Sequence, residues 1–358
     1  MRKFFMCVCL TASVLLTGCF GGMEVGDRAF VQLMGLERRD NVYQATLQIY
    51  KSESGTADPD VSKANSIVVS GEGTTVRNAL ADAELSAGKR LFLGHIKLLI
   101  IGSGIKNPAD ELSLFLDGSI SPSCPVAYSE DPAAAASLLF EEGAFSAEQL
   151  LRLMDTNSSV GKTIYTSISD IASDTGVLDC ASALPDIRAE GETVRFNGLA
   201  LVRKDGAAGF IAEEDVPGVK LLQNKFKSGD KMIIPVIADF AGTGEKTAAV
   251  SVISAGTSLK TEIAEGRLHV YADIKTIISI EEDPYDIDMS LIRHTVCKSL
   301  QDTCISAFST AVWHNGNDIF GIKKHMRRDS PGQYSEYCSS EEKYLAESIL
   351  TIKISIKK

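Results

Sequence analysis

The chain has 358 residues, 44% of them hydrophobic, and a formal net charge of −11. That length and apolar content suit two or three domains with real cores. The acidic balance repels the phosphates of DNA and RNA, so no nucleic acid is expected as a partner.

Arg2 and Lys3 precede an apolar run of 13 residues at 4–16. A membrane span needs about 20, so this reads as the core of an export signal. Leu16-Thr17-Gly18-Cys19 fits a lipobox. Small residues admit the peptidase, the thiol is alkylated by a diacylglycerol, and cleavage leaves Cys19 as the first residue of the mature chain. Residues 1–18 are therefore the signal peptide, and the diacylglycerol on Cys19 is the only covalent group expected, with no cofactor. Two acyl chains hold stably, because each buried methylene contributes about 0.8 kcal/mol. Losing Arg2 and Lys3 leaves 34 basic against 47 acidic side chains, a balance of −13, so lipid rather than surface charge is expected to supply attachment. The best later apolar run, 91–101, is too short to span and is interrupted by Gly94, His95 and Lys97.

Apolar stretches at 30–34 and 42–50 flank a charged turn at 37–41, the pattern of a hairpin. Residues 51–63 read as a surface loop. A strand at 67–73 leads to a helix capped by Thr74, with Val76, Leu80, Ala83 and Ala87 at helical spacing. Residues 91–101 read as one buried strand. Helices are expected from Pro108 to Leu116, from Asp131 to Leu139, and from a capping box of Ser146 and Gln149 to about Met154. Another strand holds Leu199-Ala200-Leu201-Val202. Alternation marks strands at 268–280 and 350–356, and between them a long helix is expected at 288–313, then a second from Asp318 to about Arg328. The expected fold class is α+β in three domains, 19–188, 189–244 and 245–358, each a mixed or antiparallel sheet with packed helices.

Cys7 and Cys9 leave with the signal and Cys19 takes lipid, so five of the eight cysteines remain: Cys124, Cys180, Cys297, Cys304 and Cys338. An odd count at open spacing is not a disulfide scaffold, and buried free thiols are the reading. No metal is expected, since His294 and Cys297 have no further ligand at suitable spacing. Ser-x-x-Lys occurs at Ser86/Lys89, Ser159/Lys162 and Ser228/Lys231 without the partner motifs of a penicillin-interacting enzyme. Thr156 stands where a phosphate loop ending at Gly161-Lys162-Thr163 needs glycine. The acidic cluster 281–288 lacks a calcium loop's glycine and reads as a solvated turn. The basic run Lys323, Lys324, Arg327 and Arg328 reads as a wet helix face.

Four blocks are similar to those of the Ger(x)C, or GerAC-like, family of spore germination lipoproteins. They are Gly18-Cys19-Phe20, where that family usually has Trp-Asp after the cysteine; residues 88–102 with the pair Gly94-His95; residues 196–205 with Asn197-Gly198; and Asn317-Asp318-Ile319-Phe320-Gly321-Ile322 with its basic helix 323–328. The resemblance covers nearly the whole chain. It implies a non-enzymatic C subunit of a spore germinant receptor, anchored on the outer face of the spore inner membrane beside A-type and B-type integral-membrane subunits. Gly94, His95, Asn197, Gly198, Asp318, Phe320 and Gly321 are then partner-contact or structural positions. The alternatives are a solute-binding lipoprotein of a transporter and a lipid-anchored hydrolase, which the missing nucleophile and metal constellations disfavour.

Overall fold

A computed structural model describes residues 27–50, 66–113, 115, 118–138, 146–191, 193–239 and 245–357. The signal, Cys19 with its lipobox, the loop 51–63, and the expected helix ends at Leu116 and Leu139 lie outside those residues.

The hairpin forms as its pattern requires. Strand β1 (Arg28–Arg39) pairs antiparallel with β2 (Val42–Tyr50), and the turn is only Asp40 and Asn41, at φ of 50° and 65°. Two left-handed positions match the strands' own twist. β3 (Ser66–Gly73) adds to β2 and leads to helix α1 (Val76–Ala87). The cap is Thr75 rather than Thr74, its side chain accepting the Asn78 N–H. Val76, Ala79 and Ala83 are buried, and Leu80 and Ala87 pack at the margin of the same core.

The run 91–101 is not one strand. β4 (Arg90–Phe92) pairs parallel to β1, a 3₁₀ turn occupies Leu93–His95, and β5 (Leu98–Ile101) resumes the pairing. Phe92 faces Phe30 and Leu98 faces Leu33, so six steps on one chain match three on β1. The surplus residues loop out at the glycine and histidine, where no apolar side chain holds them in register.

Helix α2 (Pro108–Ser113) is followed by β6 (Val126–Tyr128), parallel to β5. Asp131 caps α3 (Pro132–Ser137), accepting the Ala134 N–H at 2.9 Å. α4 (Ser146–Ser159) runs well past Met154, and α5 (Ile168–Ile171) continues into a π turn, Ala172–Val177. Then come β7 (Ser182–Glu190), β8 (Thr193–Arg203) and β9 (Gly206–Ile211). The sheet order is β3-β2-β1-β5-β6-β7-β8-β9, with β4 beside β1.

After α6 (Val216–Leu222), a second sheet has the order β10 (Met232–Asp239), β11 (Glu245–Ala264), β12 (Arg267–Glu282), β13 (Ile349–Ile356). Between β12 and β13 lie α7 (Met289–Phe308) with a π turn at Ser309–His314, α8 (Ile322–Asp329), α9 (Pro331–Ser339) and α10 (Glu341–Ala346). β13 is parallel to β12, as a helical crossover allows. Residue 189 falls inside β7, and residue 245 opens β11. Two cores lie on the first sheet. A third joins Ala183, Leu199, Leu201 and Ile211 of that sheet to α6, α7 and the inner face of the second. Among the described residues, no helix is long and apolar enough to cross a membrane.

Candidate functional site

The two blocks that begin at Phe196 and Asn317 meet at β7. Asp318 is 2% exposed, in the segment between the π turn and α8. Its carboxylate accepts the N–H groups of Ile322 and Lys323, each at 2.8 Å, and its carbonyl accepts the Ala181 N–H at 3.1 Å. A helix leaves its first N–H groups without intrahelical partners. Asp318 satisfies two of them while tying α8 to the chain entering β7. Helix α8 therefore begins four residues after Asp318, which serves as its anchor and not its first turn.

Each neighbour of Asp318 reaches a different element. The Asn317 amide donates to Ala208 O of β9 at 3.3 Å, and Gln223, just after α6, donates to Ile319 O at 2.7 Å. Phe320 stacks on Phe308 of α7 with centroids 5.5 Å apart. Gly321, at φ 69°, turns the chain into α8. The segment 317–321 thus wedges the late strands of the first sheet against the helical layer of the second.

Asn197 and Gly198 sit in a bulge of β8. Pro185 faces Leu199 and Ile187 faces Phe196, so Asp186 alone opposes both residues. Gly198 has φ +84°, and a Cβ there would lie 2.0 Å from Ile211 O; only glycine permits this approach. Asn197 donates to Asp186 Oδ2 at 3.3 Å, and Arg188 reaches the same oxygen at 3.5 Å. Burial pushes the Asp186 carboxyl above the usual range, and those two donors oppose the rise.

A second set of titratable groups joins half-buried Asp174 and Lys225 to buried Cys180. Burial raises Asp174 to about 6, opposed by the hydroxyl of Ser182 and the charge of Lys225. Lys225 donates to Tyr165 O at 2.8 Å and to Thr166 Oγ1 at 3.1 Å, and burial lowers its pKa. The Cys180 thiol is pushed up by burial and by Asp318; such a thiol is a poor nucleophile. Neither Cys180 nor Asp186 was singled out for this junction by sequence. A carboxylate at position 186 inside the apolar run 180–187 was the available signal.

Lys323 departs from its reading as part of a wet helix face. It is 6% exposed and pairs with Glu341 at 3.0 Å. Burial works against its charge, and Glu341 more than restores it. Lys324, Arg327 and Arg328 are exposed. Cys338 and Cys297 also differ from the buried-thiol reading, one exposed and the other half-buried. In the acidic cluster, Asp283 accepts the Ile287 N–H at 2.8 Å and Asp288 caps α7. Two Ser-x-x-Lys lysines are held in ion pairs, Lys162 with Glu213 at 2.9 Å and Lys231 with Glu281 at 2.5 Å.

Gly94 and His95 lie elsewhere, in the 3₁₀ turn beside the start of β1. A Cβ on Gly94 would meet the Phe92 ring at 3.0 Å. His95 is exposed, its ring 5.5 Å from Phe30 and 5.3 Å from Phe92.

Two families match in series. Residues 21–180 match a "Spore germination protein N-terminal domain" and residues 197–357 a "Spore germination B3/GerAC like, C-terminal" domain. The chain is 22% identical to spore germination protein KC of Bacillus subtilis (strain 168), over 98% of this chain and 94% of that one. The fold is similar to the crystal structure of the GerBC protein, with a TM-score of 0.58 at 13% identity, over 90% of this chain and 96% of that one.

Proposed function

The chain belongs to the GerAC-like family of spore germination proteins, and from that premise we propose that it is the lipid-anchored C subunit of a germinant receptor, required for nutrient-triggered germination. One observation carries this reading: the family's two halves match in order across 21–180 and 197–357. The diacylglycerol on Cys19 holds the body on the outer face of the spore inner membrane, beside A-type and B-type integral-membrane subunits. Its contribution is docking, with no bond made or broken. The high pKa of the buried Cys180 thiol supports a non-enzymatic role.

The test joins the anchor to the phenotype. Cys19→Ala abolishes metabolic labelling with palmitate and weakens germination, and the unaltered chain pulls two multi-span proteins out of spore membranes. A mature chain free in the medium with an unmodified amino terminus, or turnover of a substrate by the purified chain, overturns the proposal.

A further inference from the structure

Exposed basic side chains and aromatic rings gather at one end of the first sheet of this acidic chain. β1 and β4 run parallel there, with Arg28 opposite Arg90 and Phe30 opposite Phe92, so both arginines and both rings share one face. The Arg28 guanidinium lies 5.5 Å over the Phe92 ring. Phe30 stands edge-on to Phe92 at 5.5 Å, and Tyr50 faces Phe30 from β2. Lys89, Arg90, His95 and Tyr50 are exposed. Among the described residues, the carboxylates of Asp27, Asp82 and Glu84 lie nearby, the last two keeping their charge while accepting backbone N–H groups from Glu72 and Leu91.

We infer that this aromatic and basic end seats on an anionic lipid surface. Tyr50, with an apolar ring and a polar tip, suits the headgroup layer, Phe30 and Phe92 add apolar surface beside it, and guanidinium and ammonium groups reach lipid phosphates while their stems lie on apolar surface. Position on the chain adds a second argument, which rests on the anchor proposed above. Eight residues separate Cys19 from Arg28, a reach of about 30–32 Å at full extension. A lipidated Cys19 therefore holds this end of the sheet within one short tether of the bilayer. The body as a whole is repelled by anionic lipid, so the patch fixes which end approaches. In this arrangement Gly94 lets the Phe92 ring fold back over the turn, and His95 completes the aromatic rim.

The chain from residue 20 onward keeps every described element and carries no lipid. It is mixed with vesicles of phosphatidylcholine alone, or of phosphatidylcholine and phosphatidylglycerol in equal parts, and sedimented. Binding is expected to the mixed vesicles only, to fall as salt is raised, and to drop about a hundredfold or more in Arg28→Glu/Lys89→Glu/Arg90→Glu. The salt series on the unaltered chain keeps the test decisive if that variant fails to fold. Failure to bind mixed vesicles, equal binding to both kinds, or salt-independent binding overturns the inference. So does a dimer of this chain dissolved by the same substitutions without vesicle binding, which assigns the face to a second copy. Palmitate labelling of the full chain reads the anchor alone. A labelled chain whose unlipidated form ignores vesicles sinks only this inference, and an unlabelled chain that binds them sinks only the anchor.

Discussion

The Cys180 thiol donates to Asp318 Oδ2 across 3.4 Å and 138 residues of sequence, which places the last helical layer against the strand that leads out of the first half. The same carboxylate holds the N–H groups of Ile322 and Lys323. Asp318→Ala leaves both without their acceptor, and a buried N–H without a partner costs about 1–3 kcal/mol. The expected loss is about 2–4 kcal/mol, read from urea unfolding, with Asp318→Asn losing less because it keeps one acceptor. An unchanged midpoint in the alanine variant would remove Asp318 from this role.

Gly198 makes a sharper claim, because backbone rather than side chain fills the space a Cβ would need. Gly198→Ala must move the carbonyl of Ile211 or abandon φ +84°, and the expected destabilisation is about 3 kcal/mol or more. Gly256→Ala supplies the control, since nothing lies within 4 Å of its Cβ position. Equal thermal midpoints for the two variants would refute the close approach.

Much of the architecture was legible where periodicity had one interpretation. The hairpin at 28–50 forms where its apolar stretches predict, and β12 and β13 alternate as expected, with Leu268, Val270, Ala272 and Ile274 buried and Leu350, Ile352 and Ile354 half-buried against exposed Thr351 and Lys353. Between Leu91 and Ile101 the pattern was continuous but the pairing is not. Hydropathy records which residues are apolar and not how many steps the neighbouring strand takes. β11 escaped notice because a bulge at Ile253 breaks its alternation, and the π turn after α5 has no sequence signature. At the candidate site, Asp318 was visible as a helix signal. Its partners Cys180 and Ala181, and the Lys323–Glu341 pair, are set by tertiary contact that no local pattern carries.

Asp174 gives the protein a pH dependence of definite sign. Its folded pKa of about 6 lies above the value near 3.9 of an unfolded chain, so the folded state holds the proton more tightly. The associated stability is complete below the unfolded value and is lost as pH rises through the folded one. Asp174→Asn, which can still accept from Ser182, is expected to flatten the change in urea midpoint between about pH 4 and 6. A variant that keeps the wild-type slope across that window would assign the titration to another group.

Lys220 and Asp230 allow the cost of a buried charge to be separated from the value of its pairing. Lys220 Nζ lies 2.8 Å from Asp230 Oδ2 with only 1% of the lysine side chain exposed, and it also donates to Ser158 O. Burial lowers the Lys220 pKa, and Asp230 opposes that shift. Asp230→Ala strands the ammonium in the interior and should cost about 3–5 kcal/mol. Lys220→Met should cost less, because Asp230 retains the Lys227 N–H at 2.6 Å and sits nearer solvent, 9% exposed against 1%. Combining Lys220→Met with Asp230→Leu removes both charges and should recover most of the loss, since replacing a whole buried pair by apolar side chains is often neutral or stabilising. The check is a double-mutant cycle in urea. If the double variant is no more stable than Asp230→Ala, the penalty lies in lost packing or in the turn at Lys227, and the stranded charge is not its cause.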